Sequence, residues 1–212
     1  MSFDVICFDC DSTLSKIEGI DELARRVGLG EEMSKLTDAA MNGLVPLEAV
    51  YERRLSLIRP DRASIDWLAD LYIAEIVEGV RDVFAALLAR DKTVHIISGG
   101  LRQAILPLAS SLGLPESHVH AVDIYFNEDG SYRDYDLNSP LARTGGKAVV
   151  VGALKGQGSL AMVGDGKTDL EAKLAGAYVL GFGGVADRAI VREQADFYTT
   201  GPSLLPVLEH LL

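Results

Sequence analysis

The chain has little cysteine, little tryptophan, little positive charge and no long apolar run. It holds two cysteines, one tryptophan and four histidines in 212 residues. No apolar stretch approaches the ~18 residues that a membrane helix needs. The opening Met1-Ser2-Phe3-Asp4 has neither a basic segment nor an apolar one behind it. No signal peptide is therefore expected, and a cytoplasmic location is the default. Twenty basic residues stand against 31 acidic ones, a formal net charge of -11. Such a chain repels nucleic acid and anionic membrane, so neither is expected as a partner. It repels a phosphorylated metabolite too, and any phosphate site must bring its own local positive charge.

The two cysteines form a C-x-x-C, Cys7 and Cys10. A redox pair of that spacing sits at a helix N-terminus. Here the pair straddles the end of an apolar run, which reads as two small buried residues. The histidines, His95, His118, His120 and His210, show no spacing that suggests a metal site. Internal repeats and low-complexity segments are also lacking.

What is present is a composition that is 48% hydrophobic, enough for a proper core in one domain or in a core with an insert. The informative stretch is Val5-Ile6-Cys7-Phe8-Asp9-Cys10-Asp11-Ser12-Thr13. A short apolar run bounded by polar residues predicts a buried strand over 4–9. Asp9 and Asp11 then emerge at its carboxyl end, where open α/β sheets bind ligands. Two carboxylates this close call for a cation, and Mg²⁺ typically takes one or two carboxylates plus a phosphate.

Residues 15–77 read as four helices without a strand. Ile20, Leu23, Ala24 and Val27 carry the amphipathic spacing of the first, with Gly28 as its stop. The others are expected over about 31–41, 46–58 and 62–74, the last with Trp67. From Gly79 onward helices alternate with strands near 93–97, 160–163, 178–180 and 197. A hairpin is expected between 119–126 and 131–135, around Asn127-Glu128-Asp129-Gly130. Alternation of this kind predicts a doubly wound, Rossmann-like parallel sheet. The expected division is a catalytic core of 1–14 and 78–212 and a four-helix cap of 15–77 inserted after the first strand.

Three strands end in residues with chemical capacity: Asp9/Asp11/Thr13, Ser98/Gly99/Gly100 and Asp165/Asp169. Lys147 joins them from a helix start. Parallel strands put these ends on one edge. A carboxylate there can act as nucleophile and a second can exchange a proton with the leaving group. Ser98 and the following glycine amides can donate to phosphoryl oxygens. Lys147 supplies fixed charge, and Asp165 can complete a metal shell. In the third cap helix Arg54 shares the inward side with Leu47, Val50, Leu57 and Ile58. A buried guanidinium needs an anion, either a substrate carboxylate or an acid of the cap. Gly166-Lys167-Thr168 imitates the end of a phosphate-binding P-loop, but that motif's first glycine would fall at Ala161, inside a strand.

These motifs, Asp9-x-Asp11-x-Thr13, Ser98, Lys147 and Gly164-Asp165-Gly166-x-x-Asp169, resemble those of the haloacid dehalogenase-like hydrolases. The resemblance runs along the whole chain. With Glu18-Gly19-Ile20-Asp21-Glu22-Leu23-Ala24 included, it is strongest to the branch that acts on O-phospho-L-serine. It implies Asp9 as nucleophile and Asp11 as general acid, then base. It implies Mg²⁺ on Asp9, Asp165 and the Asp11 carbonyl, with Asp169 in support. Ser98, Gly99, Lys147 and Thr168 would hold the phosphoryl group. Glu18 would meet the substrate ammonium and Arg54 its carboxylate, with Met41 and Gly100 beside them. The same motifs suit a transferase that passes the phosphoryl group to homoserine, or a phosphatase for another small metabolite. A non-catalytic module that senses a phosphorylated ligand is the alternative of another class.

Overall fold

A computed structural model describes residues 2–212. In chain order the elements are β1 (Val5–Phe8), α1 (Gly19–Arg26), α2 (Gly30–Met41), α3 (Leu47–Ile58), α4 (Arg62–Ala74), α5 (Val80–Leu88), β2 (Thr93–Leu101), α6 (Arg102–Ser111), β3 (Val119–Val122), β4 (Ile124–Phe126), β5 (Tyr132–Tyr135), α7 (Gly146–Leu154), β6 (Leu160–Gly164), α8 (Lys167–Leu170), β7 (Tyr178–Phe182), α9 (Ala189–Gln194), β8 (Phe197–Thr199) and α10 (Leu208–Leu211). No helix among the described residues is long and apolar enough to cross a membrane.

Six strands form one parallel sheet in the order β3-β2-β1-β6-β7-β8. Parallel strands covered on both faces read as continuous apolar runs. Accordingly every residue of β1 is fully buried, and β6 is buried throughout. Strand order reverses between β1 and β6. In doubly wound sheets that reversal opens a crevice at the carboxyl ends. Asp9 follows β1 directly and Asp165 follows β6, so both stand at the crevice.

All four helices expected in residues 15–77 form. Their details shift slightly. Helix α1 ends at Arg26, and Val27, expected on its apolar stripe, is 52% exposed. On α3 the buried stripe is Leu47, Val50, Tyr51, Arg54, Leu55 and Ile58, whereas Leu57 faces outward at 47% exposure. The two chain segments that join this helical block to the sheet run side by side. Val77 N–H donates to Leu14 O, Lys16 N–H donates to Glu75 O, and Ser15 bridges Ile76 antiparallel. Helix α4 packs along α6, which anchors one side of the block to the sheet layer.

The expected hairpin strand over 119–126 is divided in two. Its first half, β3, joins the main sheet beside β2, and only its second half, β4, pairs antiparallel with β5. Gln103 makes the break. Its side chain donates to Asp123 Oδ1 and Ile124 O and accepts from Ile124 N–H, each at 3.1 Å.

Burial also gathers histidines that the sequence left apart. His95 of β2 stacks on His118 at 4.4 Å between ring centroids. Its Nδ1 lies 3.1 Å from Nε2 of His120 on β3, and its own Nε2 is buried without a partner. Burial first, then the two neighbouring imidazoles, push the His95 pKa down from 6.5 to about 4. The unfolded chain therefore binds a proton that the folded chain refuses. His95 stabilises the fold above about pH 6.5, and that contribution is lost as pH falls toward 4, by on the order of 3 kcal/mol. The raised carboxyls described below act with the opposite sign. The effect is therefore read as a difference: thermal midpoints of His95→Asn should fall less steeply than wild type between pH 6.5 and 4. Parallel curves would assign the acid sensitivity elsewhere.

Candidate active site

The loop after β1 turns sharply. Ser12 has φ of 52°, in the left-handed region, and its hydroxyl donates to Glu18 Oε1 at 2.7 Å. The turn sends the two motif aspartates to different partners around one cavity. Asp9 Oδ1 accepts Cys10 N–H at 2.8 Å and pairs with Lys147 Nζ at 2.9 Å. Asp11 points toward the helical block. Its Oδ1 accepts Gly19 N–H at 2.6 Å and the Tyr72 hydroxyl at 2.7 Å, and its Oδ2 lies 3.4 Å from Ser98 Oγ.

Lys147 opens α7 just after Gly145, whose φ is +83°. Its ammonium is buried between Asp9 and Asp169 Oδ1, the latter at 2.6 Å. Burial alone would lower its pKa, but Asp169 and Asp9 outweigh that and raise it, so the charge is secure. Asp169 also accepts Gly166 N–H at 2.9 Å. No side chain fits at Gly164, because a Cβ there would overlap the Asp169 carboxyl. Asp165 Oδ1 accepts the Thr13 hydroxyl at 3.1 Å, and its Oδ2 takes Arg188 Nε at 3.3 Å.

Carboxylate oxygens of Asp9, Asp165 and Asp169 all lie within 4.8 Å of one another. Burial, then like charge from Asp9, raises the Asp165 and Asp11 pKa values. Burial raises Asp169 as well, opposed by Lys147. An all-oxygen set with excess negative charge fits a hard divalent cation. Asp11 brings no side-chain oxygen to that cluster.

Ser98 lies inside β2, which runs on through both glycines to Leu101 instead of ending before them. Its Oγ accepts Gly100 N–H at 2.9 Å, and Gly99 O accepts the Tyr51 hydroxyl at 2.9 Å. A Cβ at Gly100 would stand 3.0 Å from Asp11 Oδ2. Asp9, Asp11, Ser98, Gly99, Gly100, Lys147 and Asp165 line a cavity of about 60 Å³ together with Met41, Arg54, Glu18 and Thr168.

Arg54 is 4% exposed. It donates to Thr37 Oγ1 at 3.1 Å, Thr37 donates to Asp21 Oδ1 at 2.6 Å, and Arg54 Nε has no partner. No acid among the described residues lies within ion-pair distance of it, so the internal pair with a cap acid does not form. Arg53 pairs outside with Glu32 at 3.0 Å. Glu18 is half-buried beside Ser12, 3.7 Å from Arg188, and burial with Asp11 and Asp165 raises its pKa well above the usual range.

Most of the residues singled out from sequence thus border one pocket; Asp169 does not line it, and is fully buried against Lys147. Sequence reasoning missed Tyr72, Tyr51 and Thr37 in the pocket wall, and Arg188 beside Asp165. Arg188 is buried against Asp165 and also reaches Asp38 of α2 at 3.2 Å. Cys7 and Cys10 are buried free thiols, and burial pushes the Cys7 pKa up to about 12, which leaves no redox pair. Gly166-Lys167-Thr168 caps the short α8 while Ala161 lies within β6, so no P-loop forms.

A family model for haloacid dehalogenase-like hydrolases matches residues 6–172. Phosphoserine phosphatase of Bos taurus is 38% identical over 202 residues, covering 94% of this chain and 90% of the relative. Two solved structures cover 100% of both chains at 25% identity and a TM-score of 0.84. One is a phospho-aspartyl intermediate analogue of phosphoserine phosphatase, and the other is a substrate-bound phosphoserine phosphatase complex.

Proposed function

The chain belongs to the haloacid dehalogenase-like hydrolases, and from that premise we propose how its pocket works. The enzyme is a phosphatase that hydrolyses O-phospho-L-serine to L-serine and phosphate. The observation that carries this reading is the shared cavity. Asp9 and Lys147, the latter also held by Asp169, line it together with the Arg54 guanidinium, which has no ion-pair partner among the described residues.

Asp9 attacks phosphorus as the bond to the seryl oxygen breaks, which gives an aspartyl-phosphate. Asp11 gives its proton to the departing oxygen. As carboxylate it then takes a proton from the water that attacks the aspartyl-phosphate, and phosphate leaves as Asp9 is restored. Ser98, the Gly99 amide and Lys147 hold the phosphoryl oxygens, with Thr168 at the same end. Glu18 receives the substrate ammonium and Arg54 its carboxylate, with Met41 and Gly100 packed beside it. Asp9, Asp165 and the Asp11 carbonyl would hold the metal. Asp169, already engaged by Lys147 and Gly166, acts in support. Mg²⁺ bound there supplies positive charge against the phosphoryl oxygens.

Residues 15–77 act as a cap on a core of 1–14 and 78–212. The paired segments at Ser15 and Ile76 support a hinge there. Because α4 rests on α6, opening falls to α1–α3, which releases product and readmits water.

The test is phosphate release from O-phospho-L-serine against a panel of small phosphomonoesters, with Mg²⁺ and with excess chelator. Release should prefer phosphoserine and fall at least ~100-fold with chelator, and saturating Mg²⁺ at ~100 times its Kd should add about 2.7 kcal/mol of stability. Metal-dependent release with another favoured substrate would keep the aspartates and discard the cap assignments. Phosphohomoserine formed on adding homoserine would make the enzyme a transferase.

A further inference from the structure

We infer that Tyr72 is a positioning residue for Asp11, an inference that rests on the phosphatase reading above. Tyr72 sits on α4 and is fully buried. Its hydroxyl and the Gly19 amide donate to the same oxygen, Asp11 Oδ1, at 2.7 and 2.6 Å. The other oxygen, Oδ2, faces only Ser98 Oγ at 3.4 Å. A carboxyl that both gives and takes a proton has two oxygens, and rotation about Cβ–Cγ exchanges them. Two donors on Oδ1 stop that exchange. They also fix where the acid's hydrogen sits. An oxygen that already faces an O–H and an N–H has no room for a hydrogen of its own, so a protonated Asp11 carries it on Oδ2. The oxygen left free is then the one that serves the seryl oxygen first and the attacking water second.

Two further features are built around this contact. A Cβ at residue 19 would overlap the Tyr72 hydroxyl, so only glycine there lets the phenol reach Asp11. Helix α4 packs on α6, which places the donor on the fixed side of the block, where a small error in geometry is least. A buried phenol needs some acceptor in any case, so the test must separate that bland role from positioning.

The experiment compares kcat/KM for phosphoserine, whose alkoxide leaving group needs a proton, with that for p-nitrophenyl phosphate, whose phenolate does not. Tyr72→Phe should lose about 10- to 100-fold on phosphoserine and stay within about twofold on the aryl ester, with the phosphoserine KM nearly unchanged. Gly19→Ala, which displaces the phenol, should show the same selective loss and add little on top of Tyr72→Phe, since the two share one interaction. A fall in thermal midpoint with both substrates unaffected, or equal losses on both, would overturn the inference. Wild type serves as the control for the reading beneath it. Turnover of the aryl ester but not phosphoserine would discard the substrate alone, and the comparison would then run on whichever alkyl phosphomonoester is turned over. Turnover of neither by wild type would overturn both.

Discussion

Asp9→Asn should abolish phosphate release from O-phospho-L-serine, by roughly 10⁴-fold or more, while leaving the fold intact. The carboxylate proposed as nucleophile is replaced by an amide that cannot form the acyl-phosphate, and no other acid is placed to substitute. Asp11 is turned away by its bonds to Gly19 and Tyr72, and Asp169 is occupied by Lys147 and Gly166. The amide oxygen can still accept from Cys10 N–H and face Lys147, so the local geometry survives. Folding should not suffer, because the substitution removes one negative charge from a buried cluster in which Asp9 raises the pKa of Asp11 and Asp165. Lys147 keeps its closer partner, Asp169. The metal-free variant should therefore melt at or above the wild-type temperature. Acid-quenched wild-type enzyme should carry a phosphoryl group on the peptide that contains Asp9, and the variant should not. A variant with normal turnover, or the modification on a different peptide, would reassign the nucleophile.

What could be read in the sequence was what is local. Asp9, Ser98 and Asp165 stand within or just past buried apolar runs, and each run's length and composition identify it without its neighbours. Parallel pairing then brings them together by topology alone. The inward side of α3 was equally local, since helical spacing puts Arg54 in line with Leu47, Val50 and Ile58, though it misplaced Leu57. The features that escaped depend on partners far along the chain. Nothing in Val119–Phe126 marks a break at Asp123, because the break is made by the Gln103 side chain. Arg188 has no pattern around it, and its meaning lies in Asp165, Asp38 and Glu18. Tyr72 looked like any core aromatic of an amphipathic helix. Its ring does fill the core, and only its hydroxyl has another task. His95, His118 and His120 had no ligand spacing in sequence, and strand pairing made neighbours of them.

Arg54→Ala should separate substrate recognition by the helical block from the chemistry at the sheet edge. The guanidinium is 4% exposed, it has one hydrogen bond to Thr37, and its Nε is unpaired. Burial lowers its pKa, and Tyr51 and the acids Asp21, Glu18 and Asp11, none within ion-pair distance, offset that only in part. A desolvated cation in that state favours an arriving anion strongly. Truncating one side of a buried charge pair costs about 2–5 kcal/mol, so kcat/KM on phosphoserine should fall roughly 10²- to 10³-fold. An aryl phosphate has no carboxylate to lose, and its kcat/KM should stay within about threefold. Arg54→Lys keeps the charge but not the planar fork that Thr37 and Asp21 align, so it should recover only part of the loss. The pattern across the three proteins distinguishes a carboxylate clamp from a packing element. A clamp gives a graded loss on phosphoserine alone. A packing element gives Arg54→Ala and Arg54→Lys that change both substrates together, and that outcome would remove Arg54, and with it the preference for an amino acid phosphate, from the account of this site.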